Sequence, residues 1–339
     1  MRLAIDVMGG DEGPRALIEG AARAVTDFPG LELILFGPRQ QIEAERLRLP
    51  RPLAAATSRL AIHDVSQSVT TDATAGWVLR HGQSTSMAQM LRCVALGNAQ
   101  AGVSVGNTAA LVALARRELG MLSGMSRPAI STAIPARFGR RCYLLDLGAN
   151  VDSPASRLVE FAMMGAAMAQ QVDGIQQPRV ALLNVGAEST KGSASVREAD
   201  SLLRAASSLP FAYHGYAEGG DIFQGNLDVI VCDGFAGNAV LKASEGLSGM
   251  LVERVQLAFA SRLRGRLASW IAKPVLKHLK QELDPVRYNG ASLLGLQGIV
   301  VKSHGGTHAD GFYFAIRRAM REVEHNLPER LAERYSIYG

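Results

Sequence analysis

Short apolar runs alternate with stretches of helical spacing, and this alternation constrains the fold more than any other feature. The apolar run Arg2–Val7 precedes the helical stretch Pro14–Thr26, and Ala101–Val105 precedes Thr108–Leu119 in the same way. Strands that alternate with helices build a mostly parallel sheet, and strands that are apolar throughout are buried on both faces. We therefore expect an α/β fold with a doubly wound, mostly parallel sheet (α/β/α). No repeat or linker divides the chain, so a single domain is expected over residues 1–339.

The composition excludes several classes of protein. Hydrophobic residues make up 47% of the chain and charged residues 20%, which is typical of a globular protein. Three cysteines are too few for a disulfide framework, and the N-terminal segment indicates a strand and not a secretory signal, so a cytoplasmic location is expected. The net charge of +5 suits an acidic partner or an anionic surface without implying nucleic acid.

Polar turns that contain glycine follow six of the predicted strands. The six turns are Asp6–Asp11, Gly106–Thr108, Asp146–Asn150, Val185–Gly192, Asp233–Asn238 and Ser303–Thr307. Ligands of open α/β sheets bind at the carboxyl ends of strands, where glycine lets backbone N–H groups approach an anion. Each glycine alone is explained by its tight turn. Six together predict a cleft at one edge of the sheet that takes a phosphorylated or anionic substrate.

The familiar nucleotide and nucleophile motifs are missing from the sequence. No Gly-x-Gly-x-x-Gly follows the first strand, and neither a phosphate-binding Gly-x-x-x-x-Gly-Lys-Ser/Thr loop nor a Gly-x-Ser-x-Gly elbow occurs. His304 and His308 are four residues apart, but glycine lies between them and no third ligand is evident, so a helix start is favoured and no metal is expected. Cys232 lies in an apolar run, which favours a buried side chain over a catalytic thiol.

A basic amphipathic stretch covers residues 251–283. Its apolar residues recur at helical spacing, its arginines and lysines outnumber its glutamates, and Pro274 divides it into two predicted helices. The apolar stripe either packs into the core or lies on an anionic membrane. The charge excess favours the second interpretation, a basic helix pair that lies on an anionic membrane. The predicted contact residues are Phe259, Leu263, Leu267, Trp270 and Ile271.

Taken together, these segments resemble the bacterial phosphate acyltransferases of phospholipid synthesis. The resemblance runs nearly end to end, and it lies in the order and spacing of the segments. The matching segments are Ile5–Asp11, Val105–Leu111, Arg127–Ile130, Leu145–Asn150, Asn184–Gly186, Lys191–Gly192, Val231–Gly246, Leu293–Gly295 and Lys302–Gly305. The chain departs from the family at Glu12–Pro14, where His-Ala-Pro is usual, in the lysine-poor stretch Thr71–Gln83, and at Glu188–Thr190, where an acidic pair is usual.

The resemblance implies an enzyme that converts acyl-acyl carrier protein and inorganic phosphate into acyl phosphate and free acyl carrier protein, for phosphatidic acid synthesis. It implies no cofactor, a fold similar to phosphotransacetylase and isocitrate dehydrogenase-like folds, and a homodimer. It also implies that residues 251–283 form an inserted helix pair that projects and makes a peripheral contact with the cytoplasmic membrane. Acyl carrier protein, which is acidic, would be the acyl donor. A membrane glycerol-3-phosphate acyltransferase would be a transient partner that takes the product.

Direct attack of phosphate on a thioester needs no enzyme nucleophile, because phosphate is already an oxyanion at neutral pH. Positioned donors can supply most of the acceleration. We expect Lys191 to neutralise phosphate or the tetrahedral oxyanion, Asn238 to donate to the carbonyl oxygen, and His304 to protonate the departing thiol. A solvated lysine, a helix N-cap and a structural turn histidine are the respective alternatives. The expected substrate-binding residues are Gly10, Asp11, Gly106, Asn107, Thr108, Asn150, Asp233 and Gly234.

Two other functions stay open at this stage. An NAD-dependent hydroxyacid dehydrogenase of the isopropylmalate type has a similar fold, but it would need paired aspartates on one helix, and no suitably placed Asp-x-x-x-Asp occurs. A non-catalytic membrane scaffold that recruits lipid enzymes would bind liposomes without turnover. A change in nicotinamide absorbance would identify the first.

Overall fold

The computed structural model describes residues 1–10, 12–260, 289–306 and 308–338. The strands are β1 (Arg2–Asp6), β2 (Glu32–Gly37), β3 (Leu60–Asp64), β4 (Ala101–Ser104), β5 (Ala129–Pro135), β6 (Arg141–Leu145), β7 (Arg179–Leu183), β8 (Ala212–Ala217), β9 (Val229–Val231), β10 (Ala291–Leu294) and β11 (Ile299–Lys302). The helices are α1 (Gly13–Asp27), α2 (Arg39–Leu47), α3 (Arg51–Ala54), α4 (Ala75–His81), α5 (Ser86–Ala95), α6 (Thr108–Leu119), α7 (Ala155–Asp173), α8 (Ala194–Ala205), α9 (Gly234–Ala260), α10 (Ala309–Glu324) and α11 (Leu327–Tyr338).

These strands form one sheet in the order β3-β2-β1-β4-β11-β10-β5-β6-β9-β7-β8. The first set, β3 to β11 in that order, is parallel throughout, and so is the second set, β6 to β8. Strands β10 and β5 lie between the two sets and run antiparallel to each of their neighbours. The predicted mostly parallel sheet is therefore confirmed, and the two sets point in opposite directions.

Helices cover both faces of this sheet, as the apolar strands predict. On β1, Ala4 faces one side and Leu3 and Ile5 face the other, because successive side chains of a strand alternate. One continuous core runs under α4, α5, α6 and the start of α9. The opposite face holds two clusters, one under α1 and α10 and one under α7, α8 and α11. The result is the expected three-layer α/β/α arrangement.

One row of paired residues crosses the centre of the sheet and explains how its two sets meet. The row is Ile5, Val103, Val301, Ser292, Ser131, Leu145, Val231 and Leu182. The parallel strands β1, β4, β11, β6, β9 and β7 all end at this row or one residue beyond it. The expectation that the six glycine turns share one edge is therefore wrong, because β10 and β5 reverse the chain direction. The turns after β1, β4 and β11 and the turns after β6, β7 and β9 all begin near this central row, but the two groups extend from it in opposite directions.

Most predicted elements lie close to their predicted bounds. The predicted helix Pro14–Thr26 is Gly13–Asp27, and Thr108–Leu119 begins and ends where expected. Among the described helices, none combines the length and the apolar character that a membrane span requires. The predicted helix pair over residues 251–283 is described only as far as residue 260, and the described part belongs to α9.

Candidate active site

A cleft of about 650 Å³ opens between the two sets of strands. Turns that follow β1, β4 and β11 form one wall, α9 forms the other, and β5 runs along the floor. The first wall comprises Gly9, Gly10, Gly106, Asn107, Thr108 and residues 302 to 306. The second wall comprises Asn238, Leu241, Lys242, Ser244, Glu245 and Ser248. The cleft thus brings together Gly10, Gly106, Asn107, Thr108, Asn238 and His304, which are six of the predicted site residues.

Three glycine turns of the first wall pack backbone against backbone. Gly9 and Gly10 have φ values of +103° and +76°, a region that side chains rarely allow. A Cβ on Gly10 would lie 2.9 Å from the carbonyl oxygen of Gly305, and one on Gly9 would lie 3.0 Å from the Cα of Gly106. Glycine is required here by both conformation and space, and backbone groups therefore form this part of the cleft surface.

Asn107, which lines the same wall, is the N-cap of α6. Its Oδ1 accepts a hydrogen bond from the N–H of Ala110 at 2.9 Å, so the side chain caps the helix. Its Nδ2 donates to the carbonyl oxygen of Thr71 at 2.8 Å, which ties a neighbouring loop to the cleft. The N-terminus of this twelve-residue helix adds a partial positive charge beside Asn107 and Thr108.

Lys302 is a cation of the first wall that the site prediction from sequence omits. Its Nζ donates to the carbonyl oxygen of Val105 at 3.2 Å and also to that of Ser303. The buried carboxylate of Asp6 accepts from Ser104 Oγ at 2.8 Å and from the N–H of Met8 at 3.2 Å. Burial raises the pKa of Asp6 to about 6, and the hydrogen bonds and the charge of Lys302 offset burial only in part.

His304 connects the two walls. Its backbone N–H donates to Asn289 Oδ1 at 2.9 Å, and its Nδ1 faces the N–H of Gly306 at 3.1 Å. Its Nε2 lies 2.6 Å from Nζ of Lys242 on α9. Lys242 in turn donates to Glu245 Oε2 at 2.9 Å. The turn after β11 is thereby attached to α9 across the cleft.

The turns that follow β6 and β9 bind each other, and of their residues only Leu147 and Asn238 line the cleft. Asn150 Nδ2 donates to the carbonyl oxygen of Pro128 at 2.9 Å and to Asp146 Oδ2 at 3.0 Å. The N–H of Gly234 donates to the carbonyl oxygen of Asn150 at 2.8 Å. Asp233 Oδ1 accepts from the N–H of Ala236 at 2.8 Å and caps α9. The structure therefore places the predicted site residues Asn150, Asp233 and Gly234 in the support of α9.

Lys191 lies on the loop after β7 and is not part of the cleft lining in the described residues. Its Nζ donates to Glu188 Oε1 at 2.7 Å, and its side chain is 50% exposed. This hydrogen bond lowers the pKa of Glu188. Asp11, Leu263, Leu267, Trp270 and Ile271 lie outside the described residues, as does the side chain of Phe259.

Helical spacing could have identified two residues of the second wall. Lys242 and Glu245 follow Asn238 by four and seven positions, which places all three on one face of a helix. Lys302, the last residue of an apolar strand immediately before a predicted glycine turn, carried a similar signal. Across residues 1–10, 12–260, 289–306 and 308–338, no three histidine, cysteine, aspartate or glutamate side chains cluster as metal ligands would.

Solved structures with a similar fold support this architecture. A phosphotransacetylase from Streptococcus pyogenes matches with a TM-score of 0.61 at 18% identity, over 96% of this chain and 94% of its own. A branched-chain phosphotransacylase from Enterococcus faecalis matches with a TM-score of 0.62 at 15% identity, over 95% and 99%. At these identities the likeness establishes the fold alone.

Sequence relatives are much closer. The family described as "Fatty acid synthesis protein" matches residues 1–330. The phosphate acyltransferase of Stutzerimonas stutzeri is 49% identical over 332 residues, which cover 98% of this chain and 91% of the relative. That of Pseudomonas savastanoi pv. phaseolicola is 47% identical over 335 residues, which cover 99% and 96%. With its turns, its cleft and these relatives in agreement, the chain belongs to the bacterial phosphate acyltransferase family.

Proposed function

We propose that this chain transfers the acyl group of acyl-acyl carrier protein to inorganic phosphate and releases acyl phosphate and free acyl carrier protein for phospholipid synthesis. The observation that carries the proposal is that one cleft has a polar wall suited to an anion and an apolar floor suited to an acyl chain. A wall of glycine turns, a helix N-terminus and a lysine stands over an apolar floor. An anion and an acyl chain can therefore bind next to each other.

The first wall supports the phosphate site. Gly9 and Gly10 bring partly exposed backbone to the cleft without side chains, and Lys302 supplies a cation tied to two carbonyl oxygens. Backbone N–H groups and a helix N-terminus are the usual components of a phosphate site. Phosphate bound there needs no metal or nucleophile from the protein to act as an acceptor.

The floor and the far side of the cleft support the acyl site. Ile130 and Ile134 on β5, together with Leu147, Phe223 and Leu241, contribute apolar lining. Burial of one methylene group contributes about 0.8 kcal/mol of binding free energy, so an acyl chain that buries a few of them on this floor is held in the cleft. The thioester carbonyl would then lie between this floor and the phosphate.

The reaction follows from that placement. An oxygen of phosphate attacks the carbonyl carbon, the carbonyl oxygen becomes an oxyanion, and collapse breaks the carbon–sulfur bond with the electron pair going to sulfur. Asn238, which lines the cleft, is the proposed donor to the oxyanion. In its proposed role, Lys191 would have to leave Glu188 when substrate binds.

Thiol release from acyl-acyl carrier protein, measured with and without inorganic phosphate, tests the proposal. We expect release that depends on phosphate and a product that hydroxylamine destroys. A folded protein that releases no thiol at any phosphate concentration would contradict the acyltransferase function and leave the membrane scaffold as the better hypothesis. A change in nicotinamide absorbance would indicate a dehydrogenase.

The role of Lys191 has its own test. Lys191→Ala is expected to lower turnover at least about a hundredfold, because it removes the cation proposed to neutralise phosphate or the oxyanion. The melting temperature should hardly change, since an exposed ion pair contributes little stability. Arg48→Ala, which removes the ion pair of the exposed Arg48 with Glu45 at the end of α2, is the control. Normal turnover of Lys191→Ala would contradict the proposal that Lys191 neutralises phosphate or the oxyanion.

Peripheral association with the cytoplasmic membrane is also proposed. The outer part of α9 carries the exposed apolar side chains Leu247, Leu251 and Leu257. An apolar helix surface of this kind suits insertion below lipid headgroups. Flotation with anionic liposomes should retain the protein, and recovery in the lipid-free fraction would contradict the proposal. We also propose that the protein is a homodimer. It would deliver its product to a membrane glycerol-3-phosphate acyltransferase through a transient contact.

A further inference from the structure

Lys242 occupies a central position in the cleft. Its Nζ lies 2.6 Å from His304 Nε2 and 2.9 Å from Glu245 Oε2. Glu245 Oε2 is itself 3.9 Å from His304 Nε2, so the three groups form a compact triangle. All three residues line the cleft, and Asn238 lies one helical turn before Lys242 on the same face of α9.

The triangle limits what His304 can donate to a substrate. Nδ1 of the ring faces the N–H of Gly306 at 3.1 Å, and Nε2 faces the ammonium of Lys242. A neutral imidazole carries one ring proton, so the ammonium of Lys242 donates to Nε2 only in the tautomer with that proton on Nδ1. In this tautomer Nε2 has no proton to give to the departing sulfur, and Nδ1 lies against the turn at Gly306. A lysine ammonium, in contrast, has three N–H donors. Within the described residues His304 and Glu245 account for two of them.

We propose that Lys242 is a catalytic residue that donates its third N–H to the departing sulfur, and that His304 and Glu245 are positioning residues that hold the ammonium there. This inference rests on the proposed acyl transfer and deepens it. It also changes the assignment made from the sequence, which gave the proton donation to His304. Lysine on α9 and the oxyanion donor Asn238 would then act from one helix face, on the two atoms where charge develops.

The proton balance closes without another reactant. Hydrogen phosphate attacks, the oxygen–carbon bond forms, and the carbon–sulfur bond breaks with its electron pair on sulfur. Lys242 passes a proton to the thiolate, and its amine regains a proton from the acyl hydrogen phosphate. The net result is acyl phosphate and a free thiol, with the proton of hydrogen phosphate now on sulfur. His304 and Glu245 exchange no proton in this scheme.

Steady-state kinetics with acyl-acyl carrier protein and inorganic phosphate test the inference. Lys242→Met keeps the length of the side chain and removes the donor, so kcat is expected to fall about a hundredfold. KM for phosphate should stay within about threefold of its original value, because the binding wall for phosphate lies opposite. His304→Gln is expected to lower kcat by about tenfold. Arg48→Met, on an exposed ion pair outside the cleft, should match the unmodified protein.

Two further variants separate a catalytic role from a structural one. If His304 acts only through Lys242, the double variant Lys242→Met with His304→Gln should be no slower than Lys242→Met alone. In Lys242→Ala, added methylamine should restore part of kcat, whereas ethanol of similar size should not. These results would support the inference.

Three results would overturn the inference while the proposed function stands. They are a Lys242→Met variant with nearly normal kcat, a variant whose KM for phosphate alone rises, and a double variant in which the two losses multiply. Failure of the unmodified protein to release thiol in a phosphate-dependent way would instead contradict the proposed function itself. Lys242 is about half exposed, so its variants are expected to fold, and thermal unfolding checks this.

Discussion

The two sets of strands end in glycine turns that look alike in sequence and differ in use. After β1 and β4, Gly10 and Gly106 line the cleft. After β6 and β9, Gly148 packs against Gly234, and Gly237 packs against Asp146: a Cβ on Gly234 would lie 2.8 Å from the Cα of Gly148. The first group of turns lines an open cleft, and the second forms the seat of α9.

Both uses depend on the same property of glycine, which is that backbone can approach backbone closely. What differs is whether the remaining space is filled by protein. In the second group the Asp146 carboxylate accepts the N–H groups of Ile130 at 2.8 Å and Ala149 at 3.1 Å, so the polar groups of the turn satisfy each other. Polar groups that satisfy each other support the fold, and glycine surfaces that no protein atom fills leave room for a ligand. Substitutions at matched positions can break or sharpen this distinction.

The largest effect is expected from Gly237→Ala. A Cβ there would overlap the carbonyl oxygen of Asp146 and lie 2.8 Å from Cys232 Sγ, and neither neighbour is a flexible chain end. We expect a loss of about 4 kcal/mol in the free energy of unfolding, measured in urea. Gly246→Ala on the same helix has nothing nearby and should stabilise by up to about 1 kcal/mol. If both substitutions change the free energy of unfolding equally, the structural role assigned to the turns after β6 and β9 is wrong.

A second effect concerns pH and the buried carboxyl group beneath the first wall. The pKa of Asp6 is raised by burial from 3.8 to about 6, so the folded state holds a proton that the unfolded state releases earlier. The stability that Asp6 contributes is therefore present below pH 3.8 and is lost as the pH rises through about 6. The difference between the two pKa values corresponds to about 3 kcal/mol.

Asp6→Asn removes this titration. Relative to the unmodified protein, the variant should gain up to about 3 kcal/mol in the free energy of unfolding between pH 4 and pH 7. Asp72→Asn is the control with the opposite sign, because a hydrogen bond from Thr70 lowers the pKa of that exposed carboxyl group. The substitution should destabilise slightly, and its effect should shrink as the pH falls, because the stability that this carboxylate contributes is present above its usual pKa and is lost on protonation. A difference between Asp6→Asn and the unmodified protein that is flat in pH would contradict the argument.

Gly10→Ala tests the ligand surface directly. The added Cβ would lie 2.9 Å from the carbonyl oxygen of Gly305 at a φ of +76°, so the turn must move. We expect kcat/KM for phosphate to fall about a hundredfold, which corresponds to about 2.7 kcal/mol. Gly13→Ala has the same strain at a φ of +66° without a neighbour within 4 Å, and it should keep most activity. Loss of activity in both variants would assign the effect to backbone strain alone.

Much of the fold could be predicted from the sequence, because the apolar runs and the helix caps are local signals. Asn107 and Thr108 were found from a local signal, because they lie in a glycine turn between an apolar run and a helical stretch; the cap that Asn107 makes was not predicted. The reversal at β10 and β5 was missed, because neither strand was predicted and because strand direction is decided by pairing between distant segments. Antiparallel and parallel strands that are buried on both faces carry the same apolar pattern.

In the candidate site, too, local features could be predicted from the sequence and contacts between distant segments could not. Glycine turns indicate where backbone can approach a ligand, but not which turns are filled by their neighbours, as Asn150 and Asp233 demonstrate. The contact between Lys242 and His304 joins residues that are 62 positions apart and on opposite walls. No spacing rule reaches that far, and only the staggered meeting of the two sets of strands brings them together.

The smallest expected effect compares the two asparagines of the two groups of turns. Asn107→Ser keeps an oxygen that can accept from the N–H of Ala110, so the cap survives, and the free energy of unfolding should fall by less than about 0.5 kcal/mol. Asn150→Ser leaves the buried carbonyl oxygen of Pro128 without its donor and should cost about 2 kcal/mol. Urea unfolding of both variants measures the difference. If Asn107→Ser costs as much as Asn150→Ser, its bond to the Thr71 carbonyl oxygen is structural, and the cleft wall is as tightly built as the seat of α9.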